Sequence, residues 1–139
     1  MMTKPVSVKM GLKAGFRALF INAPAEAVDA IELPDLTIET NLTGKFDYLH
    51  IFAIKQTELY EKLPTLKNHL KTGGMLWVSW PKAGQKGTDL TLTKVIEIGY
   101  DCGLVESKSI RIDDTWSALK FTHPKEGKAY HNSYGKLKD

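Results

Sequence analysis

The chain has 139 residues, 42% hydrophobic and 25% charged, with net charge +3 and a pI near 8.9. That is one domain with a core large enough to need no metal or disulfide staple. Its lysines are scattered among acids and only Arg17 and Arg111 are arginine, unlike the single basic face of a nucleic-acid binder, so nucleic acid is not an expected partner. One cysteine, Cys102, excludes an internal disulfide. The start lacks an apolar segment of signal-peptide length, and no run approaches about 18 apolar residues, so a cytoplasmic chain without a membrane partner is expected.

The bulky apolar run Phe16 to Ile21 reads as a strand buried on both faces, stopped by Asn22 and Pro24. Ala25 to Ile31 is a short helix, Leu36 to Thr40 a short strand, and "NLTGK" a loop. "FDYLHIFAI", Phe46 to Ile54, is the longest buried strand. A helix follows, with Thr57 as N-cap and Leu59, Leu63, Leu66 and Leu70 on one stripe. Pro64 should kink or split it, and Gly73–Gly74 should end it. "MLWVSW", Met75 to Trp80, is the next strand, with a loop from Pro81 to Thr88. Asp89 or Thr91 caps a third helix, with Leu92, Val95, Ile96 and Gly99 on one side and Gly103 closing it. "LVESKSIRI" and "SALKFT" form a hairpin across "DDTW". The domain is placed at residues 7–122. The polar segment 123–139, rich in Gly and Lys, is expected to be partly disordered.

Alternation of strands and helices predicts a single α/β domain: a mostly parallel sheet of about six strands, helices on both faces, and a C-terminal antiparallel hairpin. "LKTGGMLWVSW", the helix from Asp89 to Cys102 and the hairpin "GLVESKSIRIDDTWSALKF" resemble the second half of the class I methyltransferase-like Rossmann fold. That resemblance implies a truncated version of the fold, with one strand–helix unit missing between Thr40 and Phe46. A narrower resemblance rests on "GLKAGFRALFINAP", "GMLWVSWPK", "TDLT" and "DDTWSALK". Together they are similar to a bacterial family of small proteins known as the domain of unknown function 3052 family, over roughly Ser7 to Phe121. It implies the fold and brings no activity and no catalytic residues.

Ligands of open parallel sheets sit beyond the carboxyl ends of the strands. A methyltransferase or dinucleotide enzyme needs a glycine-rich turn after its first strand, so that backbone can approach the cofactor. Here Asn22, Ala23, Pro24 and Ala25 stand there, and no glycine occurs between Gly15 and Gly44. This departure argues against S-adenosylmethionine and NAD, and no cofactor is expected. Glu39 is the only acid near the end of the second strand that could hold a ribose. Asn22, Pro24, Lys55, Ser79, Trp80 and Lys82 form the candidate cleft, reached by strand ends and the Pro81–Thr88 loop. Side chains alternate along a strand, so Trp77 and Trp80 face opposite sides; Trp77 is a core residue, and Trp80 a half-buried one or a ligand platform. Asp113, Asp114, Thr115 and Trp116 form a second patch, read as turn-capping residues or as an acid/base pair, on a hairpin expected to point away from the cleft.

No metal site is expected: His50, His69, His123 and His131 lack a ligand spacing, His50 reading as a satisfied core residue and His69 as lying on a solvent face. Cys102 lacks the positive surroundings that activate a thiol, and Ser79 lacks the G-x-S-x-G setting. The expected function is a non-catalytic ligand-binding or protein-interaction module, its partner a small molecule or a protein. The alternative is a small-molecule or nucleotide-binding enzyme with a non-standard cleft.

Overall fold

The computed structural model describes residues 4–125. In chain order the elements are α1 (Val6–Met10), β1 (Arg17–Ile21), α2 (Ala25–Ile31), β2 (Thr37–Ile38), β3 (Phe46–Phe52), α3 (Gln56–Asn68), β4 (Leu70–Pro81), α4 (Leu92–Asp101), β5 (Val105–Arg111) and β6 (Trp116–Thr122). The six strands form one sheet in the order β2-β1-β3-β4-β6-β5. β1 to β4 are mutually parallel; β6 runs antiparallel to both β4 and β5.

Alternation along the strands builds two cores. Leu49, Ile51, Leu76, Val78 and Trp80 face α3 and α4. Tyr48, Phe52, Met75 and Trp77 face α1 and α2. Trp77 and Trp80 do lie on opposite sides, and both are buried, at 0% and 4% exposed. Trp80 is therefore core, and not a platform for a ligand.

Several elements differ from expectation for identifiable reasons. α1 was not anticipated; its five residues VSVKM have no side-chain cap, and burial of Ser7 and Met10 holds it to the sheet. α3 is not split at Pro64. The carbonyl deprived of a donor by that proline belongs to Tyr60, which is exposed, so water can satisfy it. α3 ends at Asn68 with His69 as its C-cap, and β4 begins at Leu70 because Phe46 pairs with that residue. Gly73 and Gly74 thus lie inside β4, at a register shift rather than a helix end. A Cβ on Gly74 would stand 3.0 Å from the carbonyl oxygens of Lys71 and Phe46, which is why glycine is needed there. Thr91, not Asp89, caps α4: its hydroxyl accepts the Lys94 N–H at 3.2 Å. Leu92, the first residue after that cap, is 42% exposed and takes no part in the apolar face. His123, expected in the tail, donates its Nε2–H to the Leu70 carbonyl (2.8 Å); residues 126–139, where disorder was expected, lie outside the described residues.

No helix among the described residues is long and apolar enough to cross a membrane.

Candidate functional site

The sheet reverses its strand order beside β1, with β2 on one side and β3 on the other. The carboxyl ends of β1, β3 and β4 should carry any ligand. β1 leaves through Asn22, an exposed residue in the left-handed region (φ 57°), and Pro24 then serves as N-cap of the short α2.

The exit of β4 is not an open lid. Lys82–Gly87 folds as two tight turns: Ala83 (φ 55°, ψ 34°) with Gly84 (φ 72°, ψ 9°), then Lys86 (φ 56°) with Gly87 (φ 70°). The first pair matches a turn of type I′, which glycine and few other residues favour, and the second shares its positive φ angles. Hydrogen bonds lace this loop to its neighbours. Lys55 Nζ donates to the Gly87 carbonyl (2.8 Å), and the Thr88 hydroxyl to that of Ile54. The Gln56 N–H and side-chain amide bind Asp89, each at 2.8 Å. On the other flank the Lys82 N–H donates to Thr115 O (2.8 Å) and Gln85 Nε2 to Asp114 O (3.0 Å).

The hairpin turn therefore sits at the carboxyl end of β4 and joins the two candidate patches; it does not point away. Its two carboxylates do not act as a pair. Asp113 Oδ1 accepts the Thr115 and Trp116 N–H groups (2.9 and 2.7 Å), closing the turn locally. Asp114 is exposed and 3.5 Å from Arg111. Trp116 is buried, edge-on to Phe52 at 5.2 Å, and its Nε1 has no hydrogen-bond partner among the described residues.

Ser79 leaves the cleft altogether. It is fully buried, and its hydroxyl lies 2.7 Å from His50 Nε2, while Tyr48 OH lies 2.6 Å from His50 Nδ1. The period of two along β3 and β4 places Tyr48, His50 and Ser79 on one face. Burial lowers the His50 pKa to about 3 and raises that of Tyr48 well above its ordinary value, so both are neutral. This is a satisfied core network, as expected for His50, without a path for substrate. His69 caps α3 with its ring on the Gly44 carbonyl (2.7 Å), instead of lying free on a helix face. Burial pushes the Cys102 thiol up to about 11, far from a thiolate at neutral pH. No three metal-ligating side chains gather among the described residues.

Glu39 does not reach a ribose position either. β2 pairs only with the first two residues of β1, so Glu39 stands beside Leu19, below the strand end, with its carboxylate 3.5 Å from Arg17.

An open groove of about 490 Å³ lies beside β1, where the chain turns from β2 straight back to β3. Its floor is Leu19, Ile21, Leu42 and Leu66; Asn22 and Thr40 stand at one rim, Glu61 and Lys62 of α3 at the other. It lies where the chain passes from β2 to β3 without the strand–helix unit whose absence was expected between Thr40 and Phe46. Of the candidate cleft residues it includes only Asn22. Its lining comes from three distant segments, a combination that no local pattern signals.

The fold is that of class I methyltransferases. A ribosomal protein L11 methylase from Lactobacillus delbrueckii subsp. bulgaricus superimposes with a TM-score of 0.56 at 14% identity, over 86% of this chain and 76% of that one. A precorrin-6y C5,15-methyltransferase from Geobacter metallireducens GS-15 gives 0.58 at 12% identity, over 86% of both chains. The magnesium protoporphyrin IX methyltransferase of Synechocystis PCC 6803, with bound SAH, gives 0.58 at 12% identity, over 84% and 78%. At such identity the likeness shows the architecture alone. No curated protein matches the chain in sequence. Residues 47–125, more than half of the chain and less than the span expected from its motifs, match the family model described as protein of unknown function (DUF3052), and the chain belongs to that family.

Proposed function

We propose that this protein is a non-catalytic binding module, a methyltransferase-like sheet that binds a partner through the groove beside β1. The observation that carries this reading is a contrast. The chain's own hydrogen bonds occupy the carboxyl rim over β3, β4 and β6, while the groove stays open with an apolar floor. Three features support it. Every residue from Asn22 to Ala25 carries a side chain where a cofactor loop would need glycine. Glu39 is engaged by Arg17. The buried Ser79 and the partly buried Cys102 lie outside the groove, whose rim offers no paired acid and base. The expected result is no turnover by the purified chain in a broad methyl-transfer and hydrolase screen. Turnover that survives repurification and is lost in Asn22→Ala would sink the reading.

One observation favours an enzyme that binds a small molecule or nucleotide at the strand ends. Trp116 Nε1, buried beside the β4 exit, has no partner among the described residues, as if waiting for an acceptor. On the module reading, Trp116→Phe removes an unsatisfied donor and leaves stability within about 1 kcal/mol. On the enzyme reading, some metabolite stabilises the wild type and loses that effect in the variant.

A further inference from the structure

We propose that an extended segment of a different protein docks as an added strand along the carboxyl half of β1, its one large apolar side chain filling the groove. This rests on the binding-module reading and names the class of partner. β1 and β2 pair only at Arg17 with Thr37 and Ala18 with Ile38. On that side Phe16 O accepts the Thr37 N–H (2.9 Å) and Ala18 O the Glu39 N–H (2.8 Å). Main-chain groups of alternate residues face the same neighbour in a parallel ladder, so Phe20 turns both of its groups to this side as well. Beyond Glu39 the chain bends away, and among the described residues no backbone bond joins it to Phe20 or Asn22. The side chains of Leu19 and Ile21 meanwhile point to the α3 face and floor the groove. The open N–H and C=O of Phe20 thus lie at the strand edge along an apolar slot.

Those two features together specify the occupant. Open strand groups are matched by the main chain of another strand, with alternate side chains reading the adjacent pocket. The rim adds charge complementarity: Glu61 and Lys62 are exposed and have no ion pair among the described residues. α3 returns from the end of β3 to the start of β4, so it runs opposite to β1. A segment parallel to β1 meets Leu66 first and the Glu61–Lys62 turn next. Its pattern is a bulky apolar residue followed two positions later by a charged one. A second copy of the chain does not fit. Of the two edges it could offer, β2 is only two residues long (Thr37–Ile38), and β5 carries a bulge between Glu106 and Lys108 and an exposed lysine, two devices that block edge pairing.

Hydrogen exchange on the free full-length chain is the first measurement. The Phe20 amide is expected to exchange on the order of 100-fold faster than those of Leu19 and Ile21, which face β3. Equal protection means that the chain covers its own edge, and the proposal falls. Eight-residue peptides are then selected from a random display library on the same chain. Selected peptides should protect Phe20, bind at least about tenfold more weakly to Leu42→Glu, and bind equally well to Lys108→Glu at the other edge. Should Leu42→Glu fail to fold, the exposed Lys62→Glu gives the same comparison by reversing the charge selected after the apolar position. No enriched peptide, or peptides that protect β5 instead, overturns the proposal. None of these outcomes touches the turnover screen, so the two readings fail separately.

Discussion

Acidification from pH 6.5 toward 3 is expected to remove up to about 5 kcal/mol of folding stability through His50 alone. The imidazole is fully buried between Tyr48 and Ser79 and stacks on Phe52 at 4.3 Å, and burial holds its pKa near 3 against 6.5 in an open chain. Between those values the unfolded state binds a proton that the folded state refuses. Stability therefore rises with pH through this window and is lost as pH falls, with no further His50 contribution above about 6.5. Asp47 adds to the acid side. Burial alone would raise its pKa, but the Arg17 backbone N–H and Lys71 hold it below 3.8, so its contribution disappears at still lower pH. Urea melts at pH 7 and pH 4.5 should differ by roughly 3 kcal/mol in the wild type. His50→Gln should be less stable at pH 7, because its amide cannot reproduce both ring contacts, and should show little of the pH difference. A wild type equally stable at both pH values would mean that His50 can be protonated in place, and hence that water reaches the sheet face.

The second large effect is Gly99→Ala. Helix propensity alone favours alanine by about 1 kcal/mol in the middle of α4. Packing decides otherwise. A Cβ at position 99 would stand 2.0 Å from Cε1 and 2.3 Å from Cζ of Phe121, a ring with no exposure. Helix and strand would have to separate, at a net cost of roughly 2 kcal/mol or more and a Tm lower by about 6–10 °C. Adding Phe121→Leu to Gly99→Ala should recover part of the loss, a coupling expected of residues in contact. A rise in Tm for the single variant would show that α4 does not press on Phe121.

What the residues disclosed in advance follows from range. Ala25 to Ile31 is bounded by Pro24 and by Glu32 in a left-handed turn, and its limits were readable from the sequence. Thr91 was one of two capping choices, and the opposite facing of Trp77 and Trp80 follows from their spacing alone. Gly73 and Gly74 misled, because glycine serves a strand bulge as well as a helix end, and only the pairing of Phe46 with Leu70 separates the two. "MLWVSW" reads as a strand that stops at residue 80, which puts Ser79 and Trp80 at a strand end. That α3 and α4 cover Trp80, while Ser79 is buried against His50 on the opposite face, is a tertiary matter. The groove was the least legible feature. It arises where a connection is short, and its walls come from Leu19, Leu42 and Leu66, each of which reads locally as ordinary core.

The reading of the carboxyl rim as filled by the protein itself is tested most directly by a thermal-shift titration with S-adenosylmethionine. A ligand held at 100 times its dissociation constant adds roughly 2.7 kcal/mol, which moves the midpoint by several degrees for a domain of this size. No shift is expected up to millimolar concentration, because Asn22 to Ala25 and the laced loop Lys82–Gly87 leave the cofactor no backbone to approach. A saturable shift of several degrees would contradict that reading and place methyl transfer back on this fold.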